Sequence, residues 1–124
     1  ARRGRVLARI PTGALGRGIA VGAGSVWVTD HSTRRVIRVD ARRGEIVRTV
    51  GVGNGPTGIA FDGHTLWIAN SLDGTVSQID PVTERVTATI SVGEGPDGVT
   101  AGSGAVWVAS EFSETIVRIE QNKP

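Results

Sequence analysis

A chain of 124 residues with a formal net charge of +2 holds enough material for one domain. It has no cysteine, so neither a disulfide nor a thiolate metal site can hold it together, and no apolar run approaches the roughly 20 residues of a membrane-spanning helix. The charges are sorted: residues 1–50 carry eleven arginines against Asp30, Asp40 and Glu45, a net of +8, while residues 51–124 carry Arg85, Arg118 and Lys123 against nine carboxylates, a net of −6.

The first stretch, "ARRGRVLARIPTG", has a basic head but no long apolar core before a cleavage site, so it does not read as a signal peptide. Within it "RVLARI" (5–10) reads as a strand. Four short apolar stretches follow the pattern of strands near 18–22, 25–30, 35–40 and 45–50, rich in Val, Ile and Thr and bounded by Gly, Asp and Ser. The pattern then recurs. "GRGIAVGAGSVWVTD" (16–30) aligns without gaps on "PTGIAFDGHTLWIAN" (56–70) and "PDGVTAGSGAVWVAS" (96–110), and Trp27, Trp67 and Trp107 stand forty residues apart. A repeat of about forty residues holding four strands is the signature of a β-propeller blade. The chain is therefore expected to be all-β: a β-propeller segment of three forty-residue, four-stranded blades. The expected units are an outer strand over 1–17, blades over 18–57 and 58–97, and an incomplete blade over 98–124.

Val26, Leu66 and Val106 alternate with the three tryptophans along the second strand, which makes both of its faces apolar. A strand of that kind is buried on both sides, so Trp27, Trp67 and Trp107 are expected as core between stacked blades rather than as a stacking platform for bases or sugars. "FDGH" and "LDGT" carry Asp-Gly pairs suited to turns that need a positive φ. Gly18, Gly58 and Gly98 open the first strand, where backbones crowd toward a propeller axis.

These residues carry a family resemblance. "VTATISVGEGPDGVTAGSGAVWVAS" resembles a repeat of the YVTN family of bacterial β-propellers, with Asp30, Asn70 and Ser110 at the last position of its second-strand motif. "GPTGIAFDGHTLWIAN" is equally similar to repeats of the streptogramin (virginiamycin B) lyases. The resemblance covers the whole chain and implies the propeller fold. For many members it also implies an extracytoplasmic setting.

Closed propellers have typically four to eight blades, so three leave a wedge. The chain starts on a fourth strand and stops after a third. Either it is a segment of a longer propeller, or copies associate so that strand 5–10 of one completes the last blade of the next. The charge sorting favours association, with the basic half of one copy facing the acidic half of its neighbour. Two copies would close a six-bladed ring as a homo-oligomer.

Two positions per blade are expected on the end face where propellers bind their ligands. One set is Arg17, Thr57 and Asp97; the other is His31, Ser71 and Glu111. Together they make a mixed polar ring, which either binds a small polar ligand or a protein or is a solvated set of loops. The lyase resemblance implies histidines at the first set and glutamates at the second, acting with Mg²⁺. The first set holds no histidine and only Glu111 matches the second, so the fold carries over and the catalytic set does not. His64 lies in a turn on the opposite side. No catalytic residues, cofactor or metal are expected: two histidines far apart in register make no transition-metal cluster. "GVGNGPTG" has no Gly-Lys-Ser/Thr and no following helix, so it reads as a connection between blades. Phosphate-gripping arginines would allow nucleic-acid binding, but no exposed aromatics interleave with them to stack bases. The reading is a non-enzymatic binding or scaffold module. A streptogramin-lyase-like enzyme and an arginine-driven nucleic-acid binder are the alternatives.

Overall fold

The computed structural model describes residues 4–102 and 104–120. Eleven strands run in chain order with no helix between them among these residues: β1 Gly16–Gly22, β2 Ser25–Asp30, β3 Arg35–Asp40, β4 Glu45–Gly51, β5 Pro56–Phe61, β6 Leu66–Asn70, β7 Thr75–Asp80, β8 Arg85–Ser91, β9 Pro96–Gly102, β10 Ala105–Ser110 and β11 Thr115–Glu120. They form three antiparallel meanders, β1–β4, β5–β8 and β9–β11. The Asp-Gly turns take their expected geometry. Gly63 and Gly74 have positive φ, and the Asp62 carboxylate accepts the His64 and Thr65 N–H groups across the first of them.

The sheets stack as blades. Inner strands β1, β5 and β9 pack side by side, while the outer strands β4 and β8 scarcely touch and the sheets splay toward the rim. Gly18 and Gly58 make the inner approach possible: a Cβ at Gly18 would strike the Thr57 carbonyl, and one at Gly58 the Asp97 carbonyl. Two hydroxyls stitch the same line. Thr29 Oγ1 accepts the Gly18 N–H and donates to the Thr57 carbonyl, both at 2.8 Å, and Thr57 Oγ1 donates to the Asp97 carbonyl at 2.9 Å.

The core lies between blades. Trp27, Val36 and Val50 of the first blade pack on Ile59, Leu66, Ile68 and Ile79 of the second. Trp67 and Val76 of the second pack on Val106 and Val108 of the third. Trp27 is 0% and Trp67 4% exposed, as a core role requires. Trp107 is only half-buried, because no further blade among the described residues covers its ring. The same cause exposes Ile116 on its face, and Ile19 and Val21 on the outward face of the first blade. Arg38 lies over the Trp27 ring, 4.7 Å from its centre, and reaches across the first junction to Glu84 at 2.8 Å.

The stretch 5–10, expected as an outer strand, pairs with no strand among the described residues. An outer strand needs a third strand beside it, and β3, β7 and β11 are either occupied or at the far end of the stack. Ile10 instead lies against Gly44 in the β3–β4 turn. Residues 1–3 of the expected outer strand and 121–124 of the incomplete blade lie outside the described residues.

Candidate functional site

One hydrogen bond recurs at the same end of every blade. The His31 N–H donates to the Leu15 carbonyl, the Ser71 N–H to Gly55 and the Glu111 N–H to Gly95, at 3.1, 2.9 and 2.8 Å. Each ties the turn after the second strand to the segment entering the first. Both sets of expected face positions therefore lie at one end of the stack, and His64 lies at the other, in the β5–β6 turn.

The six positions are not equivalent. Arg17, Asp97 and Glu111 are exposed, and His31 and Ser71 are half-buried. Thr57 is buried and its hydroxyl is engaged by the Asp97 carbonyl, so it serves blade stitching rather than a face. The Ser71 hydroxyl donates to the Gly55 carbonyl at 2.9 Å and reinforces its own turn.

Beneath this face each blade carries a buried polar residue at the end of its second strand: Asp30, Asn70 and Ser110. Asp30 organises the first of these ends. Its Oδ1 accepts from Leu15 N, Ser32 N and Ser32 Oγ, and its Oδ2 accepts from Thr33 Oγ1 at 2.6 Å and Arg35 Nε at 3.2 Å. Burial opposes ionisation of this carboxyl, but the hydrogen bonds from Thr33, Leu15, Ser32 and Arg35 outweigh it and hold the group well below the usual carboxylate range. In the second blade Asn70 Nδ2 donates to Ser77 Oγ at 2.9 Å and Thr75 Oγ1 at 3.2 Å. Asn70 Oδ1 and Ser110 Oγ have no hydrogen-bond partner among the described residues. The sequence marked these three positions only as a motif end; the Asp-His-Ser-Thr-Arg-Arg run after the first tryptophan strand was the available signal for the Asp30 network.

A cleft of about 450 Å³ opens where the first two blades splay, between Gly51–Gly53 on one side and Asp73, Thr75, Ser77 and Val86 on the other. Its polar wall is already engaged. Asp73 accepts Asn54 N and Nδ2, both at 2.8 Å, and these bonds hold its carboxyl below the usual range. Among the described residues no group of three or more His, Asp or Glu side chains is gathered to hold a metal ion. The arrangement can present charge and hydrogen-bonding groups to a ligand.

No family model matches the chain, and no curated protein matches its sequence. Solved structures do match its shape. Hydrazine synthase of Kuenenia stuttgartiensis superposes with a TM-score of 0.69 at 22% identity, over 95% of this chain and 38% of that one. Glutaminyl cyclase of Myxococcus xanthus gives 0.70 at 15% identity, over 84% and 49%. Virginiamycin B lyase of Staphylococcus aureus gives 0.68 at 16% identity, over 92% and 44%. The fold is a partial β-propeller. The chain spans less than half the length of each of these propeller proteins, and at these identities the likeness extends to the fold alone.

Proposed function

We propose that this chain is half of a six-bladed, YVTN-like propeller that acts as a binding or scaffold module without catalysis of its own, and that it closes its ring by self-association. The observation that supports this is the pair of uncovered faces. Half-buried Trp107 and exposed Ile116 lie at one end of the stack, and exposed Ile19 and Val21 at the other. They are the repeat counterparts of the two surfaces that bury one another at both internal junctions. In a closed ring Arg17, Asp97, His31, Ser71 and Glu111 would each occur twice around one axis, forming a mixed-charge rim for a small polar ligand or a protein.

The test is absolute mass in solution, by light scattering on a sizing column at low and high salt. Twice the chain mass of 12.9 kDa supports the reading. A stable 12.9 kDa species at every concentration and salt refutes self-closure.

A further inference from the structure

The internal junctions also dictate how a second copy would join. Resting on the ring-closing reading above, we propose that residues 5–10 of one chain form the missing outer strand on β11 of a second copy, with Ile10 opposite Ile116 and Val6 opposite Ile119. In the same junction the second copy's Trp107 face closes on the first copy's Ile19–Val21 face.

The register comes from the two complete blades. Val50 lies opposite Val36 and Ile46 opposite Val39; Ile90 lies opposite Val76 and Val86 opposite Ile79. Forty residues beyond Val76 and Ile79 stand Ile116 and Ile119, on β11, whose outer edge is unpaired among the described residues. Forty residues before Val50 and Ile46 stand Ile10 and Val6, in a segment without a ladder of its own. Unpaired edges of this kind recruit strands from other chains. Val36 and Val76 are fully buried while Ile116 is 72% exposed, so the third blade lacks only its cover. The Asp80–Arg85 pair that ends the second ladder reappears as Glu120 opposite Arg5.

The inner strand tells the same story. Gly18 and Gly58 each face a carbonyl of the following blade, and at Gly98 a Cβ would meet nothing within 4 Å. Continuing the stride places the Arg17 carbonyl of the second copy there. Charge agrees: the last blade brings Asp97, Glu111 and Glu114 to its end loops, and the first blade brings exposed Arg17. Opposite charges meet at the junction and steer the encounter.

The absence of cysteine allows a direct test on the full chain. Ser77 lies opposite Thr89, so Val117 should lie opposite Arg9 of the second copy. Directly opposed strand residues have Cα atoms about 4.5–5.5 Å apart, within disulfide reach. The double variant Arg9→Cys with Val117→Cys should oxidise to a covalent two-chain species, and the pair two residues out of register, Arg9→Cys with Thr115→Cys, should not. A light-scattering dimer in which neither pair cross-links overturns this register and leaves the ring-closing reading standing. A monomer overturns both. A covalent ladder longer than two chains overturns closure by two copies. Gly98→Val supplies the second readout: it should keep the strand signal of the parent and weaken association by roughly tenfold or more. Association at parental strength would overturn the proposed packing at Gly98.

Discussion

Truncating Trp67 to alanine should be one of the most damaging single changes in the chain, and Trp107→Ala should be much milder. An indole buries roughly 150–250 Å², and at about 25 cal/mol per Å² its transfer is worth about 4–6 kcal/mol. The unfolded chain already hides part of that surface, while truncation adds a cavity term, giving about 3–5 kcal/mol for a tryptophan enclosed on all sides. Trp67 meets that condition, at 4% exposure between the second and third blades. Trp107 is half-buried against its own sheet, under Arg118 at 5.9 Å. No blade seals its outer face, so removing it leaves an open notch and costs about half as much. For a chain of this length each kcal/mol lowers the melting temperature by about 4 °C, so Trp67→Ala should lower it by about 12–20 °C. Far-UV circular dichroism in urea and in a thermal scan, on dilute protein, measures both variants. Equal losses would refute the assignment of the core to the blade junctions. Raising the chain concentration should then increase the cost of Trp107→Ala and leave that of Trp67→Ala unchanged, because association covers only the former ring.

The other expectations concern the polar scaffold. Asp30→Asn keeps the shape of the side chain but turns an NH₂ group either toward the Leu15 and Ser32 donors or toward Thr33 and Arg35, and should cost about 1–3 kcal/mol. The folded carboxyl is held below its ordinary value of 3.8. Its contribution is therefore full above that value and is lost as pH falls toward the folded value. The urea midpoint of the parent should drop between about pH 5 and pH 2, and the Asp30→Asn variant should show a shallower drop. Thr29→Val removes the hydroxyl that links Gly18 N to the Thr57 carbonyl and should cost about 1–3 kcal/mol with faster amide exchange at Gly18, whereas Thr29→Ser should restore both. Unchanged stability in Thr29→Val would show that the hydroxyl's bond to the Thr57 carbonyl does not hold the two blades together.

The forty-residue period carried most of the fold because one blade's contacts are local. Each strand pairs with the next in sequence, so spacing alone locates Trp27, Trp67 and Trp107 and the turns around them. Burial of Trp107 was not legible in the same way, since it depends on what lies beyond the third blade rather than on its own strand. Thr57 shows a related limit. Its position in the repeat matches exposed Arg17 and Asp97, but its short hydroxyl reaches the neighbouring backbone and turns a candidate face residue into a stitch. Asp30 was legible as a motif position and not as a hub, because three of its five donors come from the turn that follows and one from a segment fifteen residues upstream.

The main contacts between blades join consecutive ones, above all from β1 to β5 and from β5 to β9, and this has a consequence for how a single chain opens. In a linear stack the stability of each unit is its own plus that of the interfaces it shares. The middle blade shares two, and every residue of its β6 is buried. Within a single chain the first and last blades share one each, and the last has three strands instead of four among the described residues. Local openings below the global transition of a single chain are thus expected to be graded along the stack. The last blade peels away first, the middle one holds longest, and the end that opens most readily is the one carrying Trp107.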